Sequence, residues 1–333
     1  MLNMQVNNFY KFPKIELHLH LDCSLSFDVV NKIDPNIDFE EYRSSFQAGS
    51  SCSSLKDYIS CADRAIELMQ TKENLELIVE DLFIQLFNDN VIYAEIRFAP
   101  LLHCERGLDA KKVVEIICNS ASIQSKKYNI DYGLILCTLR HYSEDESLQT
   151  VKLVKQFIEI GVVGFDIAAD EAGYPIDNHI KAFNYAKKNN LNITAHAGEA
   201  KGPESIWETI NDLHAKRIGH GVMCMQDKKL VSFLADNNYH LEICLTSNIK
   251  TKTFNSFKDH PLNQIYDSSI SLSLNTDGRT ISDTNLSKEY LIAKEKFKWD
   301  NNKILQSNLN AVEHSFTTNK IKSKLRRMLK AAF

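Results

Sequence analysis

Two histidines stand one residue apart in KIELHLHLDCS, from Lys14 to Ser24, and an acid follows two positions after the second. A strand turns alternate side chains to opposite faces, so His18, His20 and Asp22 would share one side. Aiming two imidazoles and a carboxylate into one small volume suits a metal ion. A polar group filling a hole in the core is the plainer reading. Further along come His196 and Glu199 in HAGE, His220 in GHG and Asp277 in NTDGR. Each has an ordinary explanation when taken singly. A histidine on an apolar strand is usually a hydrogen-bonded core residue, and Asp-Gly is a favoured turn pair. GHG lacks the third glycine of a dinucleotide loop, because Cys224 stands where it would fall.

As a set, the ordinary explanations weaken. Several imidazoles and carboxylates buried at one end of one fold are unfavourable unless they satisfy one another or a cation. His18, His20 and His196 with Asp277 make a nitrogen-rich donor set suited to Zn²⁺, with room for a bound water. Glu199, three residues past His196, could serve as general acid or base toward that water or a substrate. His220 adds a group that titrates near neutral pH. Glu95 and Arg97, two residues apart in one apolar run, read as an ion pair in the interior rather than as catalysts.

The elements that must position these residues follow from hydrophobic periodicity. Strand-like runs cover 14–21, 91–99, 131–139, 162–169, 192–198, 217–221, 240–246 and 270–277, with helical patterns between them. Leu75, Ile78, Val79, Leu82, Phe83 and Leu86 form one such helical stripe. Eight strands separated by helices predict an α/β fold, a (β/α)8 TIM barrel, with a doubly wound open sheet as the alternative. In a barrel, chemistry sits where the strands end on their C-terminal side, and the polar residues named above fall there. Residues 22–90 are too long for one connection and predict a helical insertion after strand 1. Extra C-terminal helices from about residue 285 would finish the outer layer. No linker, repeat or low-complexity block divides the chain, so 1–333 reads as a single domain.

Composition sets the outer limits. A chain with 44% hydrophobic and 25% charged residues describes a soluble globular protein. A formal charge of −4 gives no basic footprint for nucleic acid. The basic run KIKSKLRRMLK alternates with Ile321, Leu325 and Leu329, which reads as a solvated helix face. No stretch approaches a membrane span and no early run has signal-peptide length, so no membrane partner is expected. Eight scattered cysteines without a C-x-x-C pair suit free thiols in a reducing cytoplasm. No feature points to a particular oligomeric state.

PKIELHLHLD, YAEIRFAP, GFDIAADE, TAHAGE, RIGHG, LEICLTSN and LNTDG occur in the order of the successive motifs of adenosine deaminases. The sequence resembles that family from Pro13 to about Tyr290, and NAVEHSF (310–316) resembles its C-terminal helix. The resemblance implies that His18, His20, His196 and Asp277 hold one zinc. His220 would orient and deprotonate the zinc-bound water, with Asp277 assisting, and Glu199 would protonate purine N1. His20, Asp22, Ala169 and Gly278 would line the substrate, with Asp22 at the ribose 5′-hydroxyl and the Ala169 N–H facing N3. The implied reaction converts adenosine and 2′-deoxyadenosine to inosine and 2′-deoxyinosine, releasing ammonia, in purine salvage.

Other readings on the same barrel are a deaminase of adenine, of a 5′-modified adenosine or of a pterin, and a two-metal hydrolase. A non-catalytic nucleoside-binding relative, and cysteine catalysis at Cys104 beside His103, are weaker. Four positions depart from the family pattern. Cys23 and Ala169 stand where glycine is common, and Leu245 stands where proline is frequent. Gly278 stands where many members have a second Asp facing purine N7. That contact must be lost, or replaced by water or by Arg279.

Overall fold

The eight expected strands all form, and all run parallel to their neighbours. They are β1 (Lys14–His20), β2 (Val91–Phe98), β3 (Asp131–Leu139), β4 (Val162–Ala168), β5 (Thr194–Ala197), β6 (Arg217–His220), β7 (His240–Ile243) and β8 (Ser271–Leu274). The structure is a computed structural model and describes residues 9–49 and 52–333. β1 to β4 pair in sequence order, and so do β5 to β8. Two seams join the halves, where Leu19 bridges to Asp277 and Phe165 to Ile193. At the first seam the His20 amide donates to the Asp277 carbonyl, and the Asp277 amide to the His18 carbonyl, each at 2.9 Å. The backbone of three candidate ligands therefore closes the cylinder. The (β/α)8 barrel is the fold, and the open sheet is excluded.

β5 to β8 have four residues each, shorter than the runs that predicted them. Three of the runs stop where the backbone turns left-handed, at Gly198 (φ 66°), His220 (φ 62°) and Asp277 (φ 64°). A positive φ breaks the ladder, and at His220 and Asp277 it swings the side chain out of the pleat, toward the barrel mouth.

The insertion after β1 is helical, as expected. A 3-10 turn over Leu21–Cys23 is followed by helices Phe27–Ile33, Phe39–Phe46, Leu55–Ser60, Asp63–Leu68 and Lys72–Asn88. Ser26, Asp38, Ser54 and Thr71 cap four of them, each accepting from the amide three residues on. The predicted apolar stripe on Lys72–Asn88 is buried at all six positions. Helices Leu286–Phe297, Asn301–His314 and Asn319–Ala332 complete the outer layer. The last of these buries Leu325 and Leu329 in one cluster with Ile15, Leu17 and Ile92, and leaves Lys320, Arg327 and Lys330 exposed. The basic run is a solvated helix face. Among the described residues no helix is long and apolar enough to cross a membrane.

The barrel interior is ionic, but its pairing differs from the expectation. Arg97 donates to Asp166 at 2.9 Å and to Glu242 at 2.7 Å. Glu95 instead takes Arg217, at 2.5 Å, and Arg217 also reaches Glu242 at 2.6 Å. Residues two apart on a strand point the same way but sit at different heights. Their partners come from neighbouring strands at the same height.

Candidate active site

His18 and His20 project from β1, His196 from β5, and Asp277 follows β8. One ligating atom from each lies within 4.8 Å of all the others. His20 Nε2 is 3.1 Å from His196 Nε2, and Asp277 Oδ1 is 3.4 Å from Nε2 of both His18 and His20. His18 Nε2 is buried without a hydrogen-bond partner, an unfavourable state for a polar atom unless something else fills the role. The opposite ring nitrogens are held in place. His18 Nδ1 meets Glu242 at 2.8 Å, and His196 Nδ1 meets Asp166 at 3.2 Å. That arrangement fixes each ring and leaves Nε2 free to bind a metal.

The local electrostatics agree. Burial drives His20 well below its usual pKa, so its ring is neutral. At His18, burial and Arg97 press the same way, yet Asp277 and Glu242 outweigh them and the pKa rises. This position favours positive charge. Burial pushes Asp277 up, but His18, His20 and His220 outweigh it and hold the carboxyl well below the usual range. The Ser247 hydroxyl donates to Asp277 Oδ2 at 2.6 Å. An orphaned imidazole nitrogen, converging donors and a place that prefers a cation all fit a metal ion.

Above this cluster a cavity of about 300 Å³ opens at the barrel mouth, within the size range of small-molecule sites. Asp22, Ala169, Glu199 and His220 line it, with Leu55 and Ile59 from the helical insertion. Burial pushes Asp22 up to about 6, so it is mostly a carboxylate at neutral pH. Burial, then the charges of Asp277 and Glu171, drive Glu199 well above the normal carboxyl range. This burial and these charges favour the protonated form of Glu199. Its Oε1 has no partner, and its Oε2 lies 3.4 Å from His220 Nε2.

Glu171 positions Glu199, a role that composition and spacing did not reveal. Its carboxylate accepts from the backbone amides of Gly198 (2.7 Å), Glu199 (3.0 Å), Ala200 (2.5 Å) and Lys201 (3.0 Å), and from the Ser205 hydroxyl. Burial raises its pKa, but Arg140 and these donors outweigh burial and lower it. The stabilisation it provides is therefore full above the unfolded-chain value and lost as pH falls through the folded one. Glu171→Gln turns an N–H₂ toward donors, so a loss of about 2 kcal/mol is expected. Unfolding of both proteins at neutral and acid pH checks this, since the difference should shrink in acid.

Ala169 has φ 78°, a conformation that glycine adopts without strain. Ala169→Gly should keep the N–H and stabilise the protein by about 1 kcal/mol, read as a rise in unfolding midpoint. Leu245 opens the helix Leu245–Lys250, a first-turn position where proline is tolerated but not required.

Gly278, expected to line the substrate, is not among the residues that line the cavity. A Cβ there would lie 2.9 Å from Cys23 Cβ and 3.0 Å from the Tyr58 hydroxyl. Cys23 thus fills the volume that a side chain at 278 would need. Gly278→Ala should cost about 1–3 kcal/mol, and Cys23→Gly in the same chain should recover most of it; denaturant titration of the two variants tests the pairing. Arg279 does not substitute for an acid at 278. Its guanidinium binds Glu16 at 2.7 Å and Asp89 at 3.1 Å, away from the cavity.

Two rival sites are not assembled. Burial raises the Cys104 thiol, and its Sγ meets the Pro100 carbonyl at 3.5 Å. His103 is buried with neither ring nitrogen partnered, so no thiol–imidazole pair exists. β4 ends at Ala168 and Ala169, which leaves no lysine there to bridge two metals.

Comparison with known proteins agrees with this geometry. A family model described as Adenosine deaminase matches residues 13–332. An adenosine deaminase of Clostridium kluyveri is 34% identical over 333 residues, covering 97% of this chain and 95% of that protein. The solved N6-methyl-AMP deaminase of Arabidopsis thaliana superposes with a TM-score of 0.86 at 26% identity, over 98% of each chain. An adenine deaminase of Arthrobacter aurescens shares the fold, with a TM-score of 0.89 at 22% identity over 96% of this chain and 98% of its own. With a family model matched over nearly the whole chain and a relative at 34% identity covered almost end to end, the chain belongs to the adenosine deaminase family and is a hydrolytic deaminase.

Proposed function

We propose that the protein hydrolyses the 6-amino group of adenosine and 2′-deoxyadenosine, using one Zn²⁺ per chain, in purine salvage. The observation that carries this reading is the buried Glu199, its carboxyl pKa raised by burial, facing a cavity whose floor is the four-donor cluster. His18, His20, His196 and Asp277 would hold the zinc, three nitrogens and one carboxylate suiting its four-coordinate preference. Bound zinc supplies a lowered pKa for water, from 15.7 to roughly 7.

The chain's own residues do the rest. Glu199 gives its proton to purine N1, which draws electrons from C6 and opens it to attack by water. Asp277, held anionic by the surrounding imidazoles, takes the proton the water releases, and His220 holds the attacking oxygen. The proton held by Asp277 passes to the amino group, the C6 hydroxyl returns a proton to Glu199, and collapse of the tetrahedral carbon breaks the C6–N bond. Water and adenosine leave as inosine and ammonia. Asp22 accepts from the ribose 5′-hydroxyl, and its negative charge repels a 5′-phosphate. The Ala169 N–H faces N3. Residues 1–333 act as one unit, and the eight free cysteines support a reducing, cytoplasmic setting.

The test is turnover of adenosine, 2′-deoxyadenosine, adenine and N6-methyl-AMP by the purified protein, followed by the change in purine absorbance. The two nucleosides should give the highest kcat/KM. Faster turnover of adenine or N6-methyl-AMP, the substrates in the names of the two structural neighbours, would replace the assignment.

A further inference from the structure

His220 turns Nε2 to the cavity and Nδ1 away from it. Nδ1 lies 3.1 Å from the side-chain amide nitrogen of Asn248. Asn248 Oδ1 lies 3.2 Å from His260 Nε2, and His260 Nδ1 lies 3.1 Å from the backbone nitrogen of Leu262. The end of this chain sets the direction of all of it. A backbone N–H can only donate, so His260 Nδ1 accepts. A neutral His260 then carries its proton on Nε2 and gives it to Asn248 Oδ1. The Asn248 amide nitrogen in turn donates to His220 Nδ1. His220 is left with its proton on Nε2, facing Glu199 and the cavity.

Both intermediates are sealed from solvent. Asn248 is fully buried, and His260 nearly so. Phe254 and Phe297 pack on the His260 ring, with centroids at 5.0 and 5.8 Å. Burial pushes the His260 pKa down to about 3, so the ring stays neutral.

We propose that Asn248 and His260 are positioning residues that fix the Nε2–H tautomer of His220, making it a hydrogen-bond donor to the attacking oxygen rather than the base that deprotonates it. The inference rests on the hydrolytic reading above, since the oxygen is that of the water. It revises the role that family resemblance implies for His220. Nε2–H holds the oxygen in place and stabilises the charge it gains, while its proton goes to Asp277. Neither helper touches the substrate. His260 acts by leaving His220 one permitted arrangement; Asn248 does the same and also neighbours Glu199, which is why the tautomer is read beside kcat.

The test reads the tautomer directly, in the full-length zinc-loaded protein with ¹⁵N-labelled histidine. His220 is identified by the signals lost in His220→Gln. The expected result is a protonated Nε2 and a bare Nδ1. Asn248→Asp puts a pure acceptor against Nδ1, so the proton should move there, and kcat should fall by roughly 10²-fold or more with little change in KM. His260→Leu should give mixed tautomers. His260→Gln, whose amide can still donate to Asn248, should restore the wild-type tautomer and regain turnover. A proton on His220 Nδ1 in the wild-type protein would overturn the proposal. So would an Asn248→Asp protein in which the tautomer reverses and kcat does not fall. The tautomer is read without substrate, so this result stands or falls separately from the choice of adenosine.

Discussion

His196→Ala is expected to strip the protein of most of its metal and to abolish measurable turnover. The wild-type protein should contain about one equivalent of zinc, as a four-donor site predicts. Removing the imidazole leaves His18, His20 and Asp277, and it also removes the nitrogen 3.1 Å from His20 Nε2. The damage should stay local. Asp166 loses its histidine but keeps Arg97 at 2.9 Å, and the backbone pairing of β5 with β6 does not involve the ring. The fold should therefore survive, as circular dichroism can verify beside metal analysis. Because metal competes with protons for imidazole, wild-type occupancy should also decline in acid. Full occupancy in the alanine variant would show that the ligands lie elsewhere.

Glu199→Gln should separate binding from chemistry. Glutamine keeps the size and can donate a hydrogen bond through its N–H₂ but has no acidic proton to transfer, so kcat should drop by roughly 10²-fold or more. Metal content and affinity for a purine nucleoside should hold. The pH profile gives the sharper signature. Burial and the nearby charges of Asp277 and Glu171 raise the Glu199 pKa, which extends the range in which the acid holds its proton. As pH climbs through that raised value the proton is lost and the wild-type rate should fall. The residual rate of the glutamine variant should lack that alkaline limb. Unchanged kcat in the variant would assign the acid role to another group.

The four-donor cluster was legible because its members sit where a period-2 strand and a barrel mouth must put them. His18 and His20 need only the alternation of β1, and His196 and Asp277 need only the ends of their own runs. What escaped the sequence is pairing across the chain. Adjacency suggested Glu95 with Arg97, yet Arg97 finds acids 69 and 145 positions away. Glu171 binds backbone amides some 27 to 30 positions on, and backbone donors leave no mark in residue types. His260 stands alone in KDHPL, and only its contact with Asn248 gives it meaning. Cys23 and Gly278 look like two separate departures until the fold brings them into contact.

That last contact has a bearing on the lineage of the protein. Two residues that share one space cannot be exchanged in either order. A carboxylate can enter at 278 only in a chain where residue 23 has already become small. Cys23 can shrink at any time, leaving at worst a small void that costs on the order of 1 kcal/mol. The reverse step first would force a side chain against backbone-proximal atoms that cannot give way. The two positions are therefore ordered: residue 23 must give up its side chain before residue 278 can gain one.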